Sequence, residues 1–146
     1  MSAPTPDARP EDYAFRTLER IRYADQDPQG HVNNVVFATY LEIGRTTALL
    51  PDFLLIEDGA AFVVARLSID FLAEMLWPGE VLIATRFGAV GRSSIRLEQA
   101  LFQKGRCAAL AESVLVLTDK ETRRSRAISQ AGRDWLAARS APHAAP

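Results

Sequence analysis

The residue types most able to do chemistry are concentrated in one short segment, residues 23–34. Asp27 and His31 lie in it, and Asn33 and Asn34 close it just before a predicted helix. The first N–H groups of a helix lack partners and carry a partial positive charge, so they can stabilise the oxyanion that forms when a carbonyl is attacked. A carboxylate beside them could supply the attack. The segment therefore has the groups needed for chemistry on a carbonyl.

The same residues also have a purely conformational interpretation. Residues 27–30, with the sequence Asp-Pro-Gln-Gly, are typical of a turn, either asparagine is a good helix N-cap, and His31 is an ordinary loop residue. Because residues of these types dominate loops for conformational reasons, the segment alone does not decide between a turn and a site.

One long helix is predicted directly after this segment. Residues 35–50 contain no proline, have Gly44 as their weak position and stop at Pro51. Polar residues recur at helical spacing and include Glu42, whereas apolar residues cover the rest of the cylinder. We therefore expect a helix that is largely enclosed by other elements.

The remaining elements are predicted to be strands joined mostly by tight turns, with one short helix at the end. Strict alternation in residues 63–71 predicts a strand with one apolar face. The predicted strands are residues 15–23, 63–71, 80–89, 93–103 and 107–118, and the terminal helix is residues 128–138 with Ser129 as its cap. This order predicts an α+β fold in which one sheet packs against one helix.

Composition excludes several classes of function. The 146 residues carry 17 basic and 18 acidic side chains, so the formal charge of −1 provides no field to hold a nucleic acid. No apolar run approaches the roughly 20 residues that span a bilayer, and the first residues lack the organisation of a signal peptide. Cys107 is the single cysteine, which excludes an internal disulfide and fits a reducing cytoplasm. We expect no metal and no cofactor, because there is neither a ligand cluster nor a phosphate-binding glycine motif.

The chain is predicted to form one domain. Residues 1–10 and 140–146 are small, proline-containing and aperiodic, and we expect them to be disordered tails. Residues 11–139 show no internal repeat and no linker-like change of composition. The function is therefore expected within this continuous domain.

A family resemblance favours the catalytic interpretation of this segment over the purely conformational one. The run Asp27-Pro-Gln-Gly-His31-Val-Asn-Asn34, followed by Tyr40-Leu-Glu42, resembles the acyl-CoA thioesterases of the 4-hydroxybenzoyl-CoA thioesterase type. Two later runs, Trp-Pro-Gly-Glu at residues 77–80 and Gly-Arg-Ser-Ser at residues 91–94, resemble the family less specifically. The resemblance implies the hot-dog fold, an antiparallel sheet of about five strands wrapped around one long central helix.

The resemblance also implies roles for individual residues. Asp27 would be the catalytic carboxylate, acting either as a nucleophile on the thioester carbonyl or as a base for water. The backbone N–H of Asn34 would polarise the carbonyl oxygen, and His31 could bind the substrate or orient a water molecule. The benzoyl-CoA enzymes have an apolar stretch where His31 and Val32 stand in this chain.

Other residues are implied to bind the substrate. Arg92, Ser93 and Ser94 would contact the phosphates or the pantetheine arm of coenzyme A, and Asn33 would also bind the substrate. Glu42 is a further candidate, since a second branch of hot-dog thioesterases uses a carboxylate on the central helix. A charge on a helix face is more often solvated or at a subunit interface, so Glu42 is not expected to be the main catalyst.

The function expected from these residues is hydrolysis of an acyl-CoA thioester in the cytoplasm. Two alternatives remain: a non-catalytic protein that binds or senses acyl thioesters, and a hydrolase acting on thioesters of acyl-carrier protein. A sheet of about five strands leaves edges that need cover, so we expect a homodimer or a homotetramer. The acyl group is not predicted by the sequence.

Overall fold

A computed structural model describes residues 7–140 of the chain. Of the expected tails, residues 1–6 and 141–146 lie outside the described part. The helices are α1 (Asn34–Leu49), α2 (Asp52–Ile56) and α3 (Gln130–Ser140), and the strands are β1 (Phe15–Arg20), β2 (Ala60–Phe71), β3 (Glu80–Val90), β4 (Ser94–Gln103) and β5 (Arg106–Asp119). Two short 3-10 helices, Pro10–Asp12 and Tyr23–Asp25, flank β1.

The five strands form one antiparallel sheet with the order β1-β3-β4-β5-β2. The three consecutive strands β3, β4 and β5 make its centre as a meander, because the turns between them are only a few residues long. β2 pairs with β5 and forms one edge, and β1 pairs with β3 and forms the other. The predicted α+β architecture is confirmed.

Helix α1 packs across the sheet and begins and ends close to the predicted positions. Asn33 is its N-cap, with the side-chain oxygen accepting the N–H of Val35 at 2.9 Å. Gly44 lies against the sheet, where a Cβ atom would come within 2.6 Å of Ile83 and 2.7 Å of Gln99. The helix can approach the sheet this closely because that position has no side chain.

β2 is present as predicted, but its apolar residues are not buried within one chain. Val63, Val64, Leu67 and Phe71 are between 36% and 50% exposed. The pairing with β5 also shifts between Val64 and Arg66, which interrupts the alternation along the strand. In a single chain, this edge therefore presents apolar side chains to solvent.

The first strand and the last helix also differ from the predicted limits. β1 ends at Arg20 instead of residue 23, because Tyr23–Asp25 turns into a 3-10 helix. α3 begins after Ser129, whose hydroxyl accepts the N–H of Gly132 at 3.0 Å, as expected of a cap. The buried Glu57 accepts both the N–H and the O–H of Ser129, at 2.8 and 2.7 Å, and so fixes the start of α3.

Candidate active site

The segment between β1 and α1 is a tight loop closed by its own backbone. Asp27 N–H donates to His31 C=O at 2.7 Å, and Gly30 N–H donates to Asp27 C=O at 3.0 Å. Gly30 has a φ of +83°, a conformation that glycine adopts without strain. The predicted turn is therefore present, and it brings Asp27 and His31 to the same place.

The hydrogen bonds of this turn use only one oxygen of the Asp27 carboxylate. Its Oδ1 atom accepts the N–H groups of Gln29 and His31, at 2.9 and 3.2 Å. No donor within residues 7–140 hydrogen-bonds its second oxygen, Oδ2. The carboxylate is thus held in place through one oxygen, while the other is available to attack a carbonyl or to accept a proton from water.

The beginning of α1 lies beside this carboxylate. The N–H of Asn34 has no backbone acceptor within the described part of the chain, as expected for the first residue of a helix. Asn33 N–H donates instead to the C=O of Asp25 at 2.8 Å, and its side chain caps the helix. Asn34 therefore offers the partly positive N–H that an oxyanion needs, whereas the Asn33 carboxamide oxygen is already used.

These groups line one cavity of about 370 Å³ between the loop, α1 and the end of β2. Its polar lining includes Asp27, His31, Asn34 and Glu74. The imidazole Nε2 of His31 lies 2.8 Å from Oε2 of Glu74, which comes from the segment between β2 and β3. The structure thus brings together the three expected catalytic residues and adds Glu74, which sequence reasoning missed.

A second group missed from the sequence is the buried Asp25. Its carboxylate, only 2% exposed, accepts three hydrogen bonds from Arg22, at 2.8 to 3.0 Å, and one from the Tyr40 hydroxyl, at 2.9 Å. Burial alone would raise the pKa of Asp25, but the hydrogen bonds from Arg22 and Tyr40 and the charge of Arg22 outweigh it and lower that pKa. Burial and the Asp25 carboxylate raise the pKa of Tyr40, which stays protonated. Asp25 therefore ties the loop to α1.

Arg92, Ser93 and Ser94 do not lie near Asp27 in the same chain. Ser94 pairs with Val116, which also opposes Val63 of β2, whereas the cavity adjoins Phe71 at the other end of β2. Eight residues of a strand separate these ends, which is about 26 Å. A single chain therefore does not place the three expected substrate-binding residues at the cavity.

The backbone of this distant turn also packs against α3. The guanidinium of Arg133 donates to the carbonyl oxygens of Gly91 and Arg92, at 2.8 and 3.2 Å. The N–H of Ile128 donates to the same Arg92 oxygen, at 2.8 Å. These contacts give the turn a structural role within its own chain.

Glu42 lines a different cavity, about 310 Å³ in volume, between α1, α2 and β2. Its walls are mostly apolar, and they include the buried Arg45, whose guanidinium lies 3.5 Å from the side-chain oxygen of Gln99. Burial lowers the pKa of Arg45, and the charge of Glu42 opposes that shift. Glu42 is eight residues beyond Asn34 on the helix, about 12 Å along its axis, so in one chain it does not join Asp27.

The described part of the chain shows neither a metal centre nor a membrane span. Within residues 7–140, no three His, Cys, Asp or Glu side chains are placed to hold a metal ion. In the same residues, no helix is both long and apolar enough to cross a membrane. Cys107 is buried, and burial raises the pKa of its thiol, so it is not an activated nucleophile.

Comparison with known proteins identifies the family. The model of the thioesterase-like superfamily matches residues 21–137, which is most of the chain. The chain belongs to the thioesterase-like superfamily. The hot-dog fold predicted from the resemblance is confirmed by the sheet and its central helix, and by the solved structures that share them.

Three solved structures show how far the similarity to this superfamily member extends. A Thermus thermophilus thioesterase, crystallised with coenzyme A and Zn, is 36% identical, with 89% of this chain and 97% of that one covered and a TM-score of 0.78. The PA5185 protein of Pseudomonas aeruginosa is 30% identical, with 93% and 98% covered and a TM-score of 0.82. The DHNA-CoA thioesterase of Staphylococcus aureus, at 21% identity, 84% and 86% coverage and a TM-score of 0.73, shares the fold. No curated protein matches the chain.

Proposed function

We propose that this superfamily member hydrolyses an acyl-CoA thioester to the free acid and coenzyme A. The observation that carries the proposal is the shared cavity, because its lining includes both Asp27, whose second carboxylate oxygen is free within residues 7–140, and Asn34, at the start of α1. A thioester carbonyl placed between them would face a carboxylate on one side and a helix N-terminus on the other. The similar Thermus thermophilus thioesterase was crystallised with coenzyme A, which supports this choice of thiol.

The proposed roles follow from these positions. Asp27 either attacks the carbonyl carbon, so that the thiolate leaves and water later cleaves the acyl-enzyme bond, or it takes a proton from the water that attacks. In both cases negative charge develops on the carbonyl oxygen, and the Asn34 N–H stabilises it. His31, held by Glu74, orients the substrate or the water. Asn33 caps the helix through its side-chain oxygen, and its amide NH₂ group, which has no hydrogen-bond partner within residues 7–140, would bind the substrate.

We propose that the active protein is a homodimer, or a homotetramer built from such dimers. The exposed apolar residues of β2 lie on an open strand edge, which in soluble proteins is normally covered. Antiparallel pairing of two β2 strands about Leu67 would set Val63 of one chain opposite Phe71 of the other. The turn carrying Arg92, Ser93 and Ser94 would then approach the Asp27 cavity of the second chain, where it could contact the pantetheine arm.

The assembly is tested by sedimentation velocity on the wild type and on Leu67→Arg. We expect a dimer or larger species for the wild type and a shift toward monomer for the variant. A wild type that sediments as a monomer at micromolar concentration would contradict the proposed assembly, and the Arg92 turn would then have no route to the cavity.

The reaction is tested by thiol release from short, long and aromatic acyl-CoAs. Cys107 is buried, but a blank without substrate subtracts any signal from its thiol. We expect turnover of at least one ester. Binding of these esters without cleavage would support a thioester-binding protein instead. Cleavage of acyl-carrier-protein thioesters alone would show that acyl-carrier protein, and not coenzyme A, carries the substrate.

We place the protein in the reducing cytoplasm, with which its single, buried cysteine is compatible.

A further inference from the structure

A second cavity, about 260 Å³ in volume, adjoins the Asp27 cavity. It lies between the β4–β5 turn and the segment after β2, and its lining includes Leu76, Pro78 and Ala108. Glu74 lines both cavities, so the two are neighbours on the protein surface. We call this second cavity the hairpin groove.

The walls of the hairpin groove are held rigidly. Lys104 and Gly105 both have positive φ angles, +51° and +77°, as in the two-residue turns that match the twist of a hairpin. The side chain of Gln103 accepts the N–H of Leu76 at 2.9 Å and donates to the C=O of Leu76 at 2.8 Å. A preformed groove binds a ligand without first paying for the ordering of its walls.

The groove carries positive charge that the fold does not neutralise. Lys104 and Arg106 line it, both are exposed, and neither forms an ion pair with any residue of the described range 7–140. The lining also includes one acidic residue, Glu74, whose Oε2 atom lies 2.8 Å from Nε2 of His31 in the Asp27 cavity. The chain as a whole has a formal charge of −1, so this pair of cations is a local feature. Two free cations above an apolar floor suit a ligand with phosphate groups.

We propose that the hairpin groove binds the nucleotide end of coenzyme A, with Lys104 and Arg106 on its phosphates. This inference rests on the proposed function and names the thiol carrier of the same site. The N–H of Ala73, at the rim of the Asp27 cavity, donates to the C=O of Ala108. Arg106 is two residues from that contact, about 7 Å along β5. Lys104 lies in the turn just beyond it. The pantetheine arm, which separates the thiol of coenzyme A from its phosphates, would span the distance between the rim of the Asp27 cavity and these two cations.

The natural probe is adenosine 3′,5′-bisphosphate, because it carries the nucleotide phosphates but no pantetheine arm and no thioester. Its binding and that of coenzyme A are measured by titration calorimetry on the whole protein, so the readout does not depend on turnover. The test variant is Lys104→Gln/Arg106→Gln. The matched control is Arg123→Gln/Arg124→Gln, which removes two exposed arginines from the segment after β5.

We expect the test variant to raise the Kd of both ligands by about tenfold or more and to weaken the salt dependence of binding, while the control variant binds as the wild type does. The ratio of kcat/KM for an acyl-CoA over the matching S-acyl-pantetheine should fall by about the same factor. Equal melting temperatures for the two double variants show that the loss does not come from unfolding.

Other outcomes overturn the proposal in distinguishable ways. If the bisphosphate binds normally to the test variant but weakly to Arg92→Gln, the phosphates lie at the Arg92 turn and the hairpin groove is not their site. If the wild type cleaves only acyl-carrier-protein thioesters and binds no bisphosphate, the proposal that the protein hydrolyses thioesters stands, but the proposal that the hairpin groove binds the nucleotide fails. If bisphosphate binds through the two cations but no thioester is cleaved, the proposed reaction fails and the groove assignment stands.

Discussion

Replacing Tyr40 by phenylalanine removes one hydroxyl from the buried Asp25 carboxylate and leaves the ring in place. Tyr40 is 3% exposed, and its hydroxyl donates to Asp25 at 2.9 Å. A hydrogen bond to a charged group contributes about 1.5–3 kcal/mol, and the second partner is left buried with one donor fewer. We therefore expect Tyr40→Phe to lower the free energy of unfolding at pH 7 by about 1.5–3 kcal/mol.

The effect of Tyr40→Phe should depend on pH in a defined direction. Asp25 has a lowered pKa in the folded protein, because the hydrogen bonds and charge of Arg22 and the Tyr40 hydroxyl outweigh the opposing effect of burial. Such a carboxyl stabilises the fold above its unfolded pKa, about 3.9, and loses that contribution as pH falls toward the folded value. The cost of Tyr40→Phe should be complete at pH 7 and shrink only as pH falls through the lowered pKa of folded Asp25.

Urea unfolding followed by circular dichroism measures this cost at pH 7 and at a series of acidic pH values. Tyr23→Phe is the matched control, since Tyr23 is 70% exposed and should change stability by less than about 0.5 kcal/mol. A double-mutant cycle with Asp25→Asn isolates the pair. A cost for Tyr40→Phe as small as the control's, or one that increases as pH falls below about 3.9, would refute this account of the Asp25 network.

Further substitutions test other contacts. Gly44→Ala places a Cβ atom against the sheet and should cost about 1–3 kcal/mol in urea unfolding; no loss would show that α1 can move away freely. Glu57→Ala leaves the Ser129 N–H and O–H without their acceptor, and should cost about 1–3 kcal/mol and loosen α3, which the fluorescence of its tryptophan reports. Glu74→Ala frees the His31 ring and should lower kcat/KM by about tenfold without changing the melting temperature, whereas Glu74→Gln, which keeps an acceptor, should lose less. Equal activity in both would remove Glu74 from the site.

Local signals explain why much of the fold and the centre of the site could be predicted. The cap at Asn33 and the stop at Pro51 determine α1 without reference to the rest of the chain. The turn at Lys104 and Gly105 likewise sets where β4 ends and β5 begins. Asp27 and His31 are close in sequence, so their proximity follows from one short turn.

The features that sequence reasoning missed depend on contacts between distant parts of the chain. Glu74 reaches His31 from a segment more than 40 residues away, and nothing around it in the sequence marks it. Asp25 resembles the other acidic residue of its loop, and only its hydrogen bonds to Arg22 and Tyr40 and its burial distinguish this structural carboxylate from the proposed catalytic one. The turn at Arg92 was assigned through resemblance alone, and strand register places it at the far end of the sheet.

The central claim is that the Asp27 carboxylate performs the chemistry, and the most direct test is kcat/KM of Asp27→Asn for the acyl-CoA that the wild type cleaves best. The asparagine keeps the oxygen that closes the turn but is neither a base nor a nucleophile. We expect a loss of about a hundredfold or more in kcat/KM, with coenzyme A affinity nearly unchanged, and wild-type activity in Asp58→Asn, an exposed control. If Asp27→Asn keeps its activity within about threefold, less than removal of an acid–base group costs, the catalytic carboxylate lies elsewhere in the protein.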